Sequence, residues 1–153
     1  MAERSDGERL QLRRRAVGYT QRELADLAGV KQPLIAAIER GTRSPTDSVR
    51  RALDMALQVR PSQLLQAERG DVLATIARAG ATDVRVFGSV ALGTDGPDSD
   101  VDLLVTFPPD ADIVTLLSLE EDLSDLLTVR VDVVSARGSG PVLTRALGEA
   151  VPL

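Results

Sequence analysis

The segment RVFGSVALGTDGPDSDVDLLV, residues 85–105, restricts the fold of this chain more than any other stretch. Both of its ends read as strands to be buried: Val84, Val86 and Phe87 lead into a Gly88-Ser89 turn, and SDVDLLVTF follows it. Yet Asp98, Asp100 and Asp102 crowd the second half. Like charges at that spacing repel and are costly to desolvate, so a cation or a hydrogen-bond network has to hold them. Residues two apart on a strand share a face, so Asp100 and Asp102 are expected to project one way while Val101 and Leu103 point into the core. VRVDVVS repeats the pattern, with Val131 and Val133 on one side and Asp132 on the other. Three carboxylates brought to one edge call for a divalent cation, and hard oxygen ligands suit Mg²⁺. Asp98 reads as a loop residue outside that set.

Composition narrows the chemistry further. The 153 residues include no cysteine and no histidine. Disulfides, a thiolate nucleophile, sulfur-ligated zinc and the usual general base are therefore excluded, leaving carboxylates and hydroxyls. With aromatic residues at 2%, the core has to be aliphatic. The start, MAERSDGERL, has no apolar signal region, and no run approaches the roughly 18 apolar residues of a membrane span. A cytoplasmic protein without a membrane segment is expected. Charge divides the chain: residues 1–66 hold 12 basic against 8 acidic residues, a net of +4, while residues 67–153 hold 6 against 15, a net of −9. Two modules with different partners follow, the first suited to a polyanion.

The first half is helical in period. Leu24, Leu27 and Ala28 fall at i, i+3 and i+4, and Ile35 and Ile38 are three apart. Thr20 with Glu23 forms a capping box that opens TQRELADLA, and Gly29 closes that helix where a left-handed residue is needed. A short helix, a tight turn and a second short helix have the spacing of a helix-turn-helix. Pro61 fits the first position of a short fifth helix, and Gly70 interrupts the pattern before DVLATIARAG resumes it. A domain boundary is expected at 68/69, giving modules 1–68 and 69–153.

TQRELADLAGVKQPLIAAIERGTRSPT resembles the XRE (Cro/phage-repressor-like) family, with flanking helices over residues of about 8–66. The resemblance implies that the second helix of the motif lies in the major groove, with Lys31, Gln32, Pro33 and Ala37 nearest the base edges. Gln32 could pair with adenine, Lys31 could reach guanine or a phosphate, and Gln21 and Arg43 would hold the phosphate backbone. Lys31 stands where a small hydroxyl residue is usual, which removes a side-chain cap worth about 1 kcal/mol.

In the second half, DIVTLLSLEEDLSDLLT is an amphipathic helix of about four turns and GPVLTRALGEAV another, so helices alternate with three strands. The expected fold is an all-α helix-turn-helix domain followed by an α/β (α+β) domain with a small mixed sheet. Gly88 permits a sharp turn, and the Ser89 hydroxyl could hold a phosphate there.

FGSVALGTDGPDSDVDLLV together with VRVDVV resembles the minimal nucleotidyltransferases of the polymerase-beta-like superfamily, over residues of about 70–153. By that resemblance Gly88 and Ser89 would bind the triphosphate of ATP, Asp100 and Asp102 would hold Mg²⁺, and Asp132 would complete the triad and orient or deprotonate the attacking hydroxyl. Leu92 departs from the pattern, standing where many members carry arginine. Such proteins are typically encoded beside HEPN-domain partners. The combination implies an antitoxin that transfers AMP from ATP to a tyrosine of a HEPN toxin and represses its own operon as a DNA-bound homodimer. A non-catalytic repressor whose nucleotidyltransferase domain only senses nucleotide or binds a partner is the alternative. Transfer of a nucleotide to a small molecule is a third reading.

Overall fold

The computed structural model describes residues 3–153, which pack as two units dividing between Val59 and Arg60. In the first unit, α1 (Asp6–Ala16), α2 (Gln21–Ala28), α3 (Gln32–Glu39) and α4 (Asp47–Ala56) each begin at a residue suited to the place, with one exception. Ser5 with Glu8 and Thr20 with Glu23 form reciprocal capping boxes, and Thr46 accepts the Val49 N–H. Lys31 is the exception and makes no side-chain cap bond at the start of α3. Gly29 ends α2 in the left-handed conformation, φ 68°, so the chain turns directly into α3. Leu10, Leu24, Ile35, Ile38 and Leu53 form the buried aliphatic centre. Gly7 lets α1 close on the end of α3: a Cβ there would run into the backbone carbonyls of Ile38 and Glu39.

The second unit holds α5 (Pro61–Ala67), α6 (Arg69–Arg78), β1 (Thr82–Phe87), α7 (Gly88–Leu92), β2 (Val101–Thr106), α8 (Ile113–Leu127), β3 (Val131–Ser135), α9 (Pro141–Glu149) and β4 (Val151–Pro152). The strands form one mixed sheet in the order β3-β2-β1-β4, with β1 antiparallel to both neighbours and β2 parallel to β3. The parallel pair needs a long crossover, and α8 supplies it. Val101, Leu103 and Val105 are fully buried on one face, and α6 and α8 contribute Val72, Ile76, Leu119, Leu123 and Leu127 to the core. On the other face Phe87 and Leu104 pack against Leu143 and Ala146 of α9. Both faces of β2 are therefore covered, and the expected polar face beyond Asp102 is instead sealed by α9 (Leu104 is 2% exposed).

Two boundaries differ from the sequence expectation. The helical break falls at Glu68, and Gly70 lies inside α6 near its start. The packing division at 59/60 and the expected one at 68/69 bracket α5. That helix packs on α6 and α8, and its Ser62 N–H is held at 2.9 Å by Asp95 of the α7–β2 loop. Asp95 is buried and its other oxygen, Oδ1, has no hydrogen-bond partner among the described residues. Outside the sheet, α8 closes the free edge of β3: the Val131 N–H donates to Ser124 Oγ at 3.0 Å and the Val133 N–H to Glu120 Oε1 at 2.8 Å. Among the described residues no helix is long and apolar enough to cross a membrane.

Candidate nucleotide site and nucleic-acid interface

The site in the second unit is built where β1 ends. Gly88 begins α7 with φ 68°, a conformation that L side chains rarely adopt. It also has no room for one, because a Cβ would run into Asp102 Oδ2 and stand 3.3 Å from Asp102 Cγ. The pairing of Phe87 with Asp102 across β1 and β2 brings the turn and the carboxylate together. Ser89, half-buried, is the next residue of α7. Its carbonyl accepts the Thr94 N–H at 3.0 Å, closing the short helix.

Asp102 and Asp132 lie directly opposite each other in the parallel β2–β3 register, with Asp100 immediately before β2. Burial pushes the Asp102 carboxyl above the usual range, and the charges of Asp132 and Asp100 push it the same way. Arg145 and Arg130 offset part of that rise. Asp132 is drawn toward Arg130, at 3.0 Å, while Asp98 is exposed in the α7–β2 loop. Among the described residues no three acidic side chains are gathered closely enough to hold a metal ion as they stand. The donor set nonetheless fits a hard dication. Its members are all carboxylate oxygens, two of them share a strand register, and their mutual repulsion already holds Asp102 up, which a positive charge would relieve.

Two residues at this site have no counterpart in the sequence expectations. The Gly88 N–H donates to Glu149 Oε2 at 3.3 Å, and the other oxygen of Glu149 accepts from Arg145 Nε at 3.2 Å. The i, i+4 spacing of Arg145 and Glu149 is visible in the sequence, but only the return of α9 across the sheet shows what the pair faces.

In the first unit the expected DNA-facing residues fall into two groups. Lys31 and Pro33 are exposed at the start of α3, Arg43 is exposed in the loop after it, and Ala37 is half-buried. Gln21 and Gln32 are tied together: Gln32 Nε2 donates to Gln21 Oε1 at 2.9 Å, and Gln21 Nε2 donates to Glu39 Oε2 at 2.9 Å. Glu39 is in turn paired with Arg14 at 2.6 Å, with side chains only 2% and 10% exposed. Gln21 is thus braced from within. Beyond its bond to Gln21, Gln32 carries a second amide N–H and a carbonyl oxygen, the two kinds of group an adenine contact uses.

A family model described as a nucleotidyltransferase domain matches residues 73–147, and a helix-turn-helix family model matches residues 10–64. The chain is 44% identical over 57 residues to the protein adenylyltransferase MntA of Thermococcus cleftensis, covering 37% of this chain and 58% of that protein. It is 31% identical over 81 residues to a Methanocaldococcus jannaschii protein provisionally named a protein adenylyltransferase, covering 52% of this chain and 87% of the relative. For the first two curated relatives it matches, the chain spans 58% and 52% of their length. A solved structure described as a minimal nucleotidyltransferase is 47% identical, with 60% of this chain and 95% of that chain aligned at a TM-score of 0.54. A crystal structure of a toxin-antitoxin with AMP-PNP shares the fold at 22% identity and a TM-score of 0.50, over 54% of this chain and 69% of that one.

Proposed function

The chain belongs to the nucleotidyltransferase domain family and carries a helix-turn-helix domain ahead of it, and from that premise we propose that it is a two-activity antitoxin. The nucleotidyltransferase half transfers AMP from ATP to a tyrosine of a HEPN-domain toxin. The helix-turn-helix half represses the shared operon as a homodimer on a palindromic site. The observation that carries the reading is the register of Asp102 with Asp132 beside a glycine turn that has no room for a side chain.

In this reading Gly88 and Ser89 seat the triphosphate, and Asp100, Asp102 and Asp132 are the ligands for Mg²⁺. When bound, the metal supplies charge neutralisation at the phosphates. Asp132, on the outer strand and 37% exposed at its side chain, orients the acceptor hydroxyl or takes its proton. The hydroxyl attacks the α-phosphorus in line and pyrophosphate leaves, so positioning carries most of the catalysis. Asp102, half-buried beneath the turn, fixes the geometry, and its position against Gly88 sets how closely a phosphate can approach the backbone. On DNA, Gln32 and Lys31 read base edges from α3, while Gln21 and Arg43 hold phosphates.

A non-catalytic repressor is the second reading, favoured by the Arg130–Asp132 pairing and by a turn whose Leu92 carries no charge and is 60% exposed. One experiment separates the two. Label transfer from α-labelled ATP with Mg²⁺ to the product of the adjacent reading frame is expected with the wild-type chain and not with an Asp100→Asn, Asp102→Asn variant. A partner that is bound and inhibited without acquiring label, by wild type and variant alike, establishes the repressor reading instead.

A further inference from the structure

We propose that Glu149 is a resident anion on the nucleotide-binding turn and that Arg145 is the side chain that passes from Glu149 to a phosphate when nucleotide displaces it. The inference rests on the reading of Gly88 and Ser89 as a triphosphate site and adds residues that no motif in the sequence assigns to it.

A backbone N–H at the head of such a turn is the group a phosphate oxygen would use. Here the Gly88 N–H already donates to a carboxylate oxygen, Glu149 Oε2, at 3.3 Å. A carboxylate and a phosphate cannot share one N–H without repelling each other, so Glu149 has to leave before nucleotide settles. Its position permits this. Glu149 is the last residue of α9, its side chain is 28% exposed, and the next residue is already extended toward β4. The residues that fix α9 to the sheet, Leu143 and Ala146, lie one or two turns earlier and need not move.

The departing carboxylate releases a cation in the right place. Between residues 86 and 129 the chain contains no lysine or arginine, so the turn and Asp102 have no basic residue in their own segment. Around the site, Arg85 is paired with Asp83 and Arg130 with Asp132. Arg145 is the arginine bound to the residue that occupies the turn, at 3.2 Å, and its side chain is 65% exposed. A guanidinium freed beside a phosphate offers a charge-assisted, forked contact. Each bound nucleotide thus exchanges an internal anion for an external one, and apparent affinity falls with the fraction of molecules in which Glu149 is seated.

Isothermal titration of the full chain with Mg-ATP, pyrophosphate and adenosine tests this. Glu149→Gln, and Glu149→Ala beside it, are expected to tighten ATP and pyrophosphate about tenfold, and Arg145→Gln to weaken both about tenfold. Adenosine, which has no phosphate, is expected to bind all variants alike, a discrimination that a general loosening of α9 would not give. If wild type binds ATP and either substitution leaves that affinity unchanged, the exchange is overturned while the nucleotide site stands. If none of the proteins binds ATP, the site and the exchange fall together.

Discussion

Gln32, proposed to read a base edge, shows how much of a side chain's role lies in what holds it. Its amide is tied to Gln21, Gln21 to Glu39, and Glu39 to Arg14, so the groups offered to DNA are set by a buried ion pair at the other end of the chain of bonds. Replacing Gln32 by alanine removes the base-facing amide and leaves Gln21 Oε1 without its donor. Gel-shift titrations are expected to show a loss of about 1–3 kcal/mol on the cognate site and little on random DNA, whereas Arg43→Ala weakens both alike. The motif gave the glutamines an expected place on the DNA-facing side, but it gave no sign of the bracing, because Arg14 lies 25 residues from Glu39. Gly88 is a parallel case. A sharp turn could be read from Gly-Ser, but the second reason for glycine, the Asp102 carboxylate beneath it, depends on the pairing of β1 with β2.

At the scale of elements, the same ion pair fastens three helices, since Arg14 belongs to α1, Gln21 to α2 and Glu39 to α3. Although burial works against the charged form of Glu39, the hydrogen bonds from Arg14 and Gln21 and the charge of Arg14 outweigh it and hold the carboxyl below its usual range. A folded value below the unfolded one means stability that is fully present above the ordinary glutamate range, about pH 4.3, and lost as pH falls through the lower folded value. Urea unfolding of the helix-turn-helix half, followed through Tyr19 as the one tyrosine in the chain, is expected to show this loss on acidification. Glu39→Gln is expected to reduce that dependence, leaving the part due to Asp6, Glu8 and Glu23, whose carboxyls are also held below their usual range, and to cost about 3–5 kcal/mol at neutral pH by stranding Arg14. The helices and the three longer strands could be read from period and caps. The two-residue β4 could not, since it contains Pro152 and exists only by pairing with Arg85 and Val86. Nor could the closed edge of β3, which depends on Glu120 and Ser124 of α8 reaching backbone donors on a strand further along the chain.

At the scale of the whole molecule, the change of charge sign pointed to two modules with a boundary expected at 68/69, while the packing divides at 59/60 and the helix-turn-helix match runs to residue 64. Charge reports on surfaces, whereas α5 is assigned by what it buries: Leu64 is 0% and Leu65 4% exposed in a helix that packs on α6 and α8. A fragment of residues 60–153 is therefore expected to unfold cooperatively, and one of residues 69–153 to be less stable by about 3 kcal/mol or more in denaturant titrations. Equal stabilities would show that α5 belongs with the first unit. The Asp95–Ser62 contact adds a reason of a different kind. A carboxylate from the loop between the Gly88 turn and the strand aspartates stops the first turn of α5, so the nucleotidyltransferase unit carries its own opening helix. The two units are therefore expected to be separable at Arg60. A different helix-turn-helix spliced ahead of that residue is expected to leave the α7–β2 loop intact, whereas a splice eight residues later removes the Ser62 donor to which that loop is anchored.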